Sequence, residues 1–149
     1  MRIEYHITSS VVVSGLLYAF FCSWKLAVAN LIAGVFIDID HVFDYLAECG
    51  KDFDIKHFFK VFNNDLTEKV FVFLHSWEFL AIFSIIAWIT NWNVWVVGLL
   101  IGYAVHMTMD QSVTPSIRGY FLVWRIRHNF EREGAFPVNS FYKKENKSR

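Results

Sequence analysis

Asp38, Asp40, His41 and Asp44 put three carboxylates and an imidazole within seven positions, at the end of one of the most apolar runs in the chain. Charged groups are costly in such surroundings unless something binds them. On a helix Asp38 and His41 are three apart, and Asp40 and Asp44 four apart, so each pair shares a face. Donors of these types at this spacing suit a divalent cation, zinc first and manganese second. Three other apolar segments carry His6, His75 and the pair His106 and Asp110, again four apart. His6, Asp38, Asp40, His41, His75, His106 and Asp110 therefore form a ligand pool, of which four to six members are expected to bind one or two ions. Burying two acids without a cation would push one or both toward protonation. Paired metals that share a carboxylate serve phosphoester hydrolysis.

Other groups stand near the pool. Glu78, three residues after His75, can act as general base, ligand or orienter of an imidazole, and equally as a cap at an interface. Asp44 is a carboxylate behind the ligands or a helix-end acid; with Glu78 it makes up the catalytic candidates. Arg118, Arg125 and Arg127 can hold a phosphate, and Arg118 is the substrate-binding candidate. A basic segment beside a membrane more often binds anionic headgroups. His57 and His128 read as surface residues, and each histidine of the pool has a bland alternative as a hydrogen-bonded structural residue.

The elements that must position these groups are apolar. Of 149 residues 55% are hydrophobic and 19% charged, whereas about 25% charged is usual in soluble domains. The first span runs from about His6 to Trp24. It lacks a small-residue cleavage site at Phe20-Phe21-Cys22-Ser23 and reads as a retained helix. The second runs from about Leu26, reaching the roughly 20 residues a bilayer requires only if it continues to about Leu46. A polar connection from Glu48 to Lys69 alternates Phe53, Ile55, Phe58, Phe59, Phe62 and Leu66 with Lys56, Lys60 and Asp65, the pattern of a short amphipathic helix at a membrane surface. The third span covers about Val70 to Thr90 and the fourth about Asn93 to Asp110, joined by a turn at Asn91-Trp92-Asn93; Pro115 ends the fourth. Tyr120 to Phe130 reads as a second interfacial segment, followed by a polar tail. Cys22 and Cys49, at opposite ends of this arrangement, are expected as free thiols.

With both termini in the cytoplasm, thirteen of the fourteen Lys and Arg residues fall on the cytoplasmic side, all except Lys25. Trp24, Trp88, Trp92 and Trp95 then lie at the outer interface, Trp77 and Trp124 nearer the inner one. Every residue of the ligand pool falls in one layer near the cytoplasmic surface.

At these residues the chain resembles a family of small membrane-bound, metal-dependent hydrolases of bacteria and archaea. The resemblance rests on His6, the run from Gly34 to His41 ending in Asp-x-Asp-His, Leu74-His75-Ser76-Trp77-Glu78, Gly102-Tyr103-Ala104-Val105-His106 through Asp110, and Thr114-Pro115. It covers roughly residues 1–116. Ile37 stands where that family usually has proline. The ligand order is also distantly similar to the zinc-dependent phospholipase C and single-strand nuclease superfamily, helical enzymes that hydrolyse phosphodiesters on a zinc cluster. The later ligands of that superfamily have no evident counterpart.

The expected protein is all-α: a four-helix transmembrane bundle with interfacial amphipathic segments, integral to the inner membrane. Residues 1–116 form the metal-binding domain, and residues 117–149 a basic interfacial segment and cytoplasmic tail. The expected function is metal-dependent hydrolysis, with a phosphoester favoured and a phosphorylated or lipid-linked substrate implied by depth. Membrane lipid is the expected partner; nucleic acid is not. The alternative is a non-catalytic metal-binding membrane protein, a sensor or structural partner. An ion-conducting protein would carry acids at several depths, and a soluble helical bundle would enclose the metal in an apolar core.

Overall fold

The computed structural model describes residues 3–50, 53–63, 67–114 and 116–136, and among them the chain is all-α with no sheet. Arg2, Asp65, Leu66, Pro115 and the tail from residue 137, on which parts of the sequence reading fall, lie outside the described residues. Helix α1 (Ile3–Phe21) ends where Cys22 takes a left-handed backbone, and α2 (Trp24–Phe36) starts at once, its N-cap Ser23 accepting from the Leu26 amide at 3.4 Å. A single 3-10 turn (Ile37–Ile39) leads into α3 (Asp40–Cys49), which stops at Gly50 with φ 83°. The short α4 (Ile55–Asn63) packs on α3. Residues 70–76 are irregular. Then come α5 (Trp77–Ile89) and α6 (Val94–Val113), separated by left-handed Asn91 and Trp92, with Asn93 capping α6 through the Trp95 amide at 3.0 Å. A 3-10 turn (Ile117–Tyr120), α7 (Leu122–Arg127) and α8 (Arg132–Ala135) follow.

The expected bundle of four membrane-crossing helices is not what the structure has. Among the described residues only Trp24–Cys49 is both long and apolar enough to cross a membrane. The third expected span loses its first turns to the irregular stretch, leaving α5 with 13 residues, about 20 Å against a hydrocarbon core of about 30 Å. Helices α1 and α6 have the length, but polar residues dilute them: Glu4, His6, Ser10 and Ser14 on one, His106, Asp110 and Gln111 on the other.

Of these, His6, Ser10, Ser14, His106 and Asp110 belong to the inner face, whereas Glu4 is exposed and Gln111 half-buried. His6, Ser10 and Ser14 recur every four residues on α1; Leu26, Asn30, Gly34 and Asp38 do so on α2 and the turn after it; Gly98, Gly102, His106 and Asp110 do so on α6. All are buried. A spacing of four keeps each set on one stripe, and the small members let the helices close up. A Cβ on Gly98 would meet Ala29 and the Leu26 carbonyl, one on Gly102 the Asn30 carbonyl, and one on Gly34 the Ser10 side chain. Asn30 ties α2 to α1 by donating to Ser14 Oγ at 2.8 Å. Each stripe ends at a His or Asp, so close approach at one end brings donors together at the other. The outer surface is apolar, with Val11, Leu16 and Phe20 of α1 and Ile85, Trp88 and Ile89 of α5 exposed. Beside a small buried cluster of Ile37, Tyr103, Met107 and Tyr120, the helices thus bury a row of small and polar residues while many large hydrophobic ones stay exposed.

Candidate metal centre

Six imidazole and carboxylate groups converge from five segments. His6 comes from α1, Asp38 from the 3-10 turn, His41 from α3, His75 from the irregular stretch, and His106 and Asp110 from α6. They form two groups able to hold an ion: His6, His106 and Asp110, and Asp38, His41 and His75. The two groups touch. His75 Nε2 lies 3.1 Å from His106 Nε2, 3.3 Å from Asp38 Oδ1 and 3.5 Å from Asp110 Oδ2; His106 Nε2 lies 3.4 Å from each of the same two oxygens. A tetrahedron of donors about 2.0–2.1 Å from a zinc ion has edges of about 3.3–3.4 Å. Five of the six edges among these four atoms measure 3.1–3.5 Å, within about 0.2 Å of that value. His6 Nε2 adds a contact of 3.0 Å to Asp110 Oδ1, and His41 Nε2 one of 3.8 Å to Asp38 Oδ1.

The protonation pattern points the same way. His106 Nδ1 is 2.9 Å from the Gly34 carbonyl, which only accepts, so Nδ1 carries the hydrogen. His75 Nδ1 sits 3.1 and 3.2 Å from the two oxygens of Asp40 and carries its hydrogen likewise. In their neutral forms the two imidazoles therefore aim Nε2 lone pairs at each other and at two carboxylates. That arrangement needs a cation or protons. Without metal it takes protons: burial opposes a charge on His75, but Asp40, Asp38 and Asp110 outweigh it and raise its pKa to about 10. The imidazolium thus stabilises the metal-free fold fully below pH about 6.5, and this is lost as pH rises through about 10. Zinc binding at pH 7.5 should accordingly release at least one proton, with apparent affinity rising about tenfold per pH unit. Calorimetry in buffers of different ionisation enthalpy measures this; heats independent of buffer would remove His75 from the ligands.

The irregular stretch that presents His75 makes few backbone bonds of its own, and side chains meet most of its needs. Asp44 Oδ1 accepts from the amides of Phe71 and Val72 at 3.0 and 3.2 Å, and Asp40 Oδ2 from that of Leu74 at 2.8 Å. The fully buried Arg125 donates to the carbonyls of Phe71, Val72 and His75 at 2.8–3.0 Å. Tyr103 Oη lies 2.5 Å from the Leu74 carbonyl and 2.6 Å from that of Ser76, and accepts from the Ser76 amide. Burial pulls the Arg125 pKa down, against support from Asp40, Asp44 and Glu78.

A cavity of about 350 Å³ opens beside the cluster. Asp38, His41, His75 and Asp110 line it, with Asp44, Tyr45 and apolar walls that include Val61 and Val72; His6 and His106 do not reach it. Of the other candidates, Glu78 accepts from the amides of Leu122 and Val123 at 3.0 and 3.1 Å, at the start of α7. Arg118 lies with its guanidinium 5.1 Å over the Trp124 ring and lines a separate pocket. Cys22 and Cys49 are both free thiols. Sequence reasoning assigned no role to Gly98 or Asn30, marked Tyr103 only as part of the motif at residues 102–106, and suggested Arg125 as a phosphate or headgroup ligand. The Gly98-x-x-x-Gly102 spacing was the available sign of close helix packing.

No protein-family model, curated protein or solved structure matches the chain. The resemblance to metal-dependent hydrolases rests on its motif residues, and the structure adds two His/Asp groups able to chelate an ion.

Proposed function

We propose that the protein is a membrane-associated, metal-dependent hydrolase acting on a phosphoester. The observation that carries this reading is that Asp38, His41, His75 and Asp110 of the donor cluster line a substrate-sized cavity. A divalent ion, zinc or manganese, would supply positive charge to polarise the phosphoryl group and acidify a water. Asp38, His75, His106 and Asp110 hold it, with His6 and His41 flanking. Asp40 and the Gly34 carbonyl fix the two imidazoles through Nδ1, the usual support for a metal-bound histidine. Asp44 lines the cavity and is the better proton acceptor of the two catalytic candidates, because Glu78 spends both oxygens on backbone amides. The apolar outer surface and the length of Trp24–Cys49 support placement in a membrane.

A second reading follows from the same distances. Four protein donors at tetrahedral spacing also suit a closed, structural ion. Cobalt(II) separates the two: an open site changes its visible spectrum when phosphate is added, and a closed one does not.

The decisive test is metal content of detergent-purified protein. Wild type should hold one to two equivalents of zinc or manganese, and His106→Ala should fall to background. Asp40→Ala should keep metal at saturating concentration but bind it roughly 10- to 100-fold more weakly. Hydrolysis of a chromogenic phosphodiester should vanish with the metal. A metal-free wild type, or full occupancy in His106→Ala, ends the assignment.

A further inference from the structure

Arg118 and Arg127 flank a second pocket, of about 210 Å³, with Trp124, Phe121 and Val123. Both arginines are exposed, and Arg118 stacks on Trp124, whose indole nitrogen is anchored to the Gly134 carbonyl at 3.1 Å. Residues 116–130 contain no acid. Arg125, the third arginine of the segment, is turned inward on the residue 71–75 carbonyls, which leaves Arg118 and Arg127 as the outward guanidinium groups of this face. Large apolar side chains stand exposed among them: Ile117, Phe121, Val123 and Ile126.

The position of this patch is fixed by Glu78. Its carboxylate holds the first amides of α7, and along α5 it is followed at intervals of four, three and four residues by Ile82, Ile85 and Ile89, one continuous face. Those isoleucines are 47%, 57% and 67% exposed. An uncovered apolar stripe about 10 Å long thus runs up to a basic, aromatic patch. One lipid leaflet, with a hydrocarbon depth of about 15 Å, has the same order: acyl chains, then phosphate.

We propose that the Arg118, Trp124 and Arg127 pocket binds the phosphate headgroup of an anionic phospholipid whose acyl chains lie along Ile82, Ile85 and Ile89. The cations meet the phosphate, the indole lies at headgroup level, and the isoleucines meet the chains. This rests on membrane placement but not on hydrolysis, and the site is separate from the cavity beside the metal donors.

Native mass spectrometry of the detergent-purified chain, titrated with short-chain phosphatidylglycerol, short-chain phosphatidylcholine or glycerol phosphate, tests it. Phosphatidylglycerol should bind roughly 10- to 30-fold more tightly than phosphatidylcholine, and glycerol phosphate more weakly than either lipid. The Arg118→Ala, Arg127→Ala double variant should lose the preference with metal content unchanged, and the corresponding double lysine variant should keep most of it. Equal binding of both lipids, or a preference that survives the alanine variant, overturns the proposal. Glycerol phosphate binding as tightly as phosphatidylglycerol overturns it too, since the pocket would then take a free anion. Phase partition of the same preparation in detergent reads membrane placement separately.

Discussion

Replacing Arg125 by methionine is expected to lower the free energy of unfolding by about 3–5 kcal/mol and to strip the centre of its ion. The side chain is completely buried and holds three carbonyls of one irregular stretch. Methionine fills much of the same volume but offers no donor, so the Phe71, Val72 and His75 carbonyls are left unsatisfied, each at about 1–3 kcal/mol before relaxation. The remedy open to the protein is to let water reach those carbonyls, which releases residues 71–75 and carries His75 off its partners. Asp40 and Asp44 would also lose the nearby cation that balances them. Lysine keeps the charge but not the fork, and should fall between. Denaturant unfolding in detergent beside zinc titration gives both numbers; a stability loss under 1 kcal/mol with metal affinity intact would show that the stretch stands without its clasp.

Gly102→Val should be nearly as damaging, by another route. A Cβ at that position would run into the Asn30 carbonyl and Ala33, neither of which can swing away. Helices α2 and α6 must then part, at about 1–3 kcal/mol or more for the overpacking. His106 is one turn from Gly102 and bonded to the Gly34 carbonyl of α2, so separation breaks the bond that orients its imidazole. Metal affinity should fall by about 10- to 100-fold. Gly15→Ala is the control, because a Cβ there meets nothing within 4 Å. Zinc affinity equal in both variants would mean that close approach of α2 and α6 does not set the geometry.

The convergence of the donors was legible in the sequence because each sits at the same end of an apolar segment, whichever way the chain runs. The number of helices long and apolar enough to cross a membrane was not. Residues 70–76 are apolar enough to pass for the start of a helix, and only their bonds to Asp44, Asp40, Tyr103 and Arg125, all distant in sequence, show why they stay irregular. The same bonds explain why Asp40 and Asp44 resist assignment from composition. A carboxylate that holds peptide amides and one that holds a metal look alike at a spacing of four. Glu78 had two readings, and the structure shows it at the α7 amides. Arg125 lies in a basic, aromatic segment that resembles any membrane-facing surface, and nothing local marks it as turned inward.

That irregular stretch has a consequence for how the chain can change. Asp40, Asp44, Tyr103 and Arg125 grip its peptide groups, while Phe71 and Phe73 contact the Phe130 ring and Leu74 packs against the cluster of Ile37, Tyr103, Met107 and Tyr120. Those positions can exchange one apolar side chain for another of similar size, while the length of the stretch is fixed: one inserted or deleted residue puts every carbonyl and amide out of step with the group that meets it. Selection on this segment should show as exchange among apolar residues at these positions combined with intolerance of gaps.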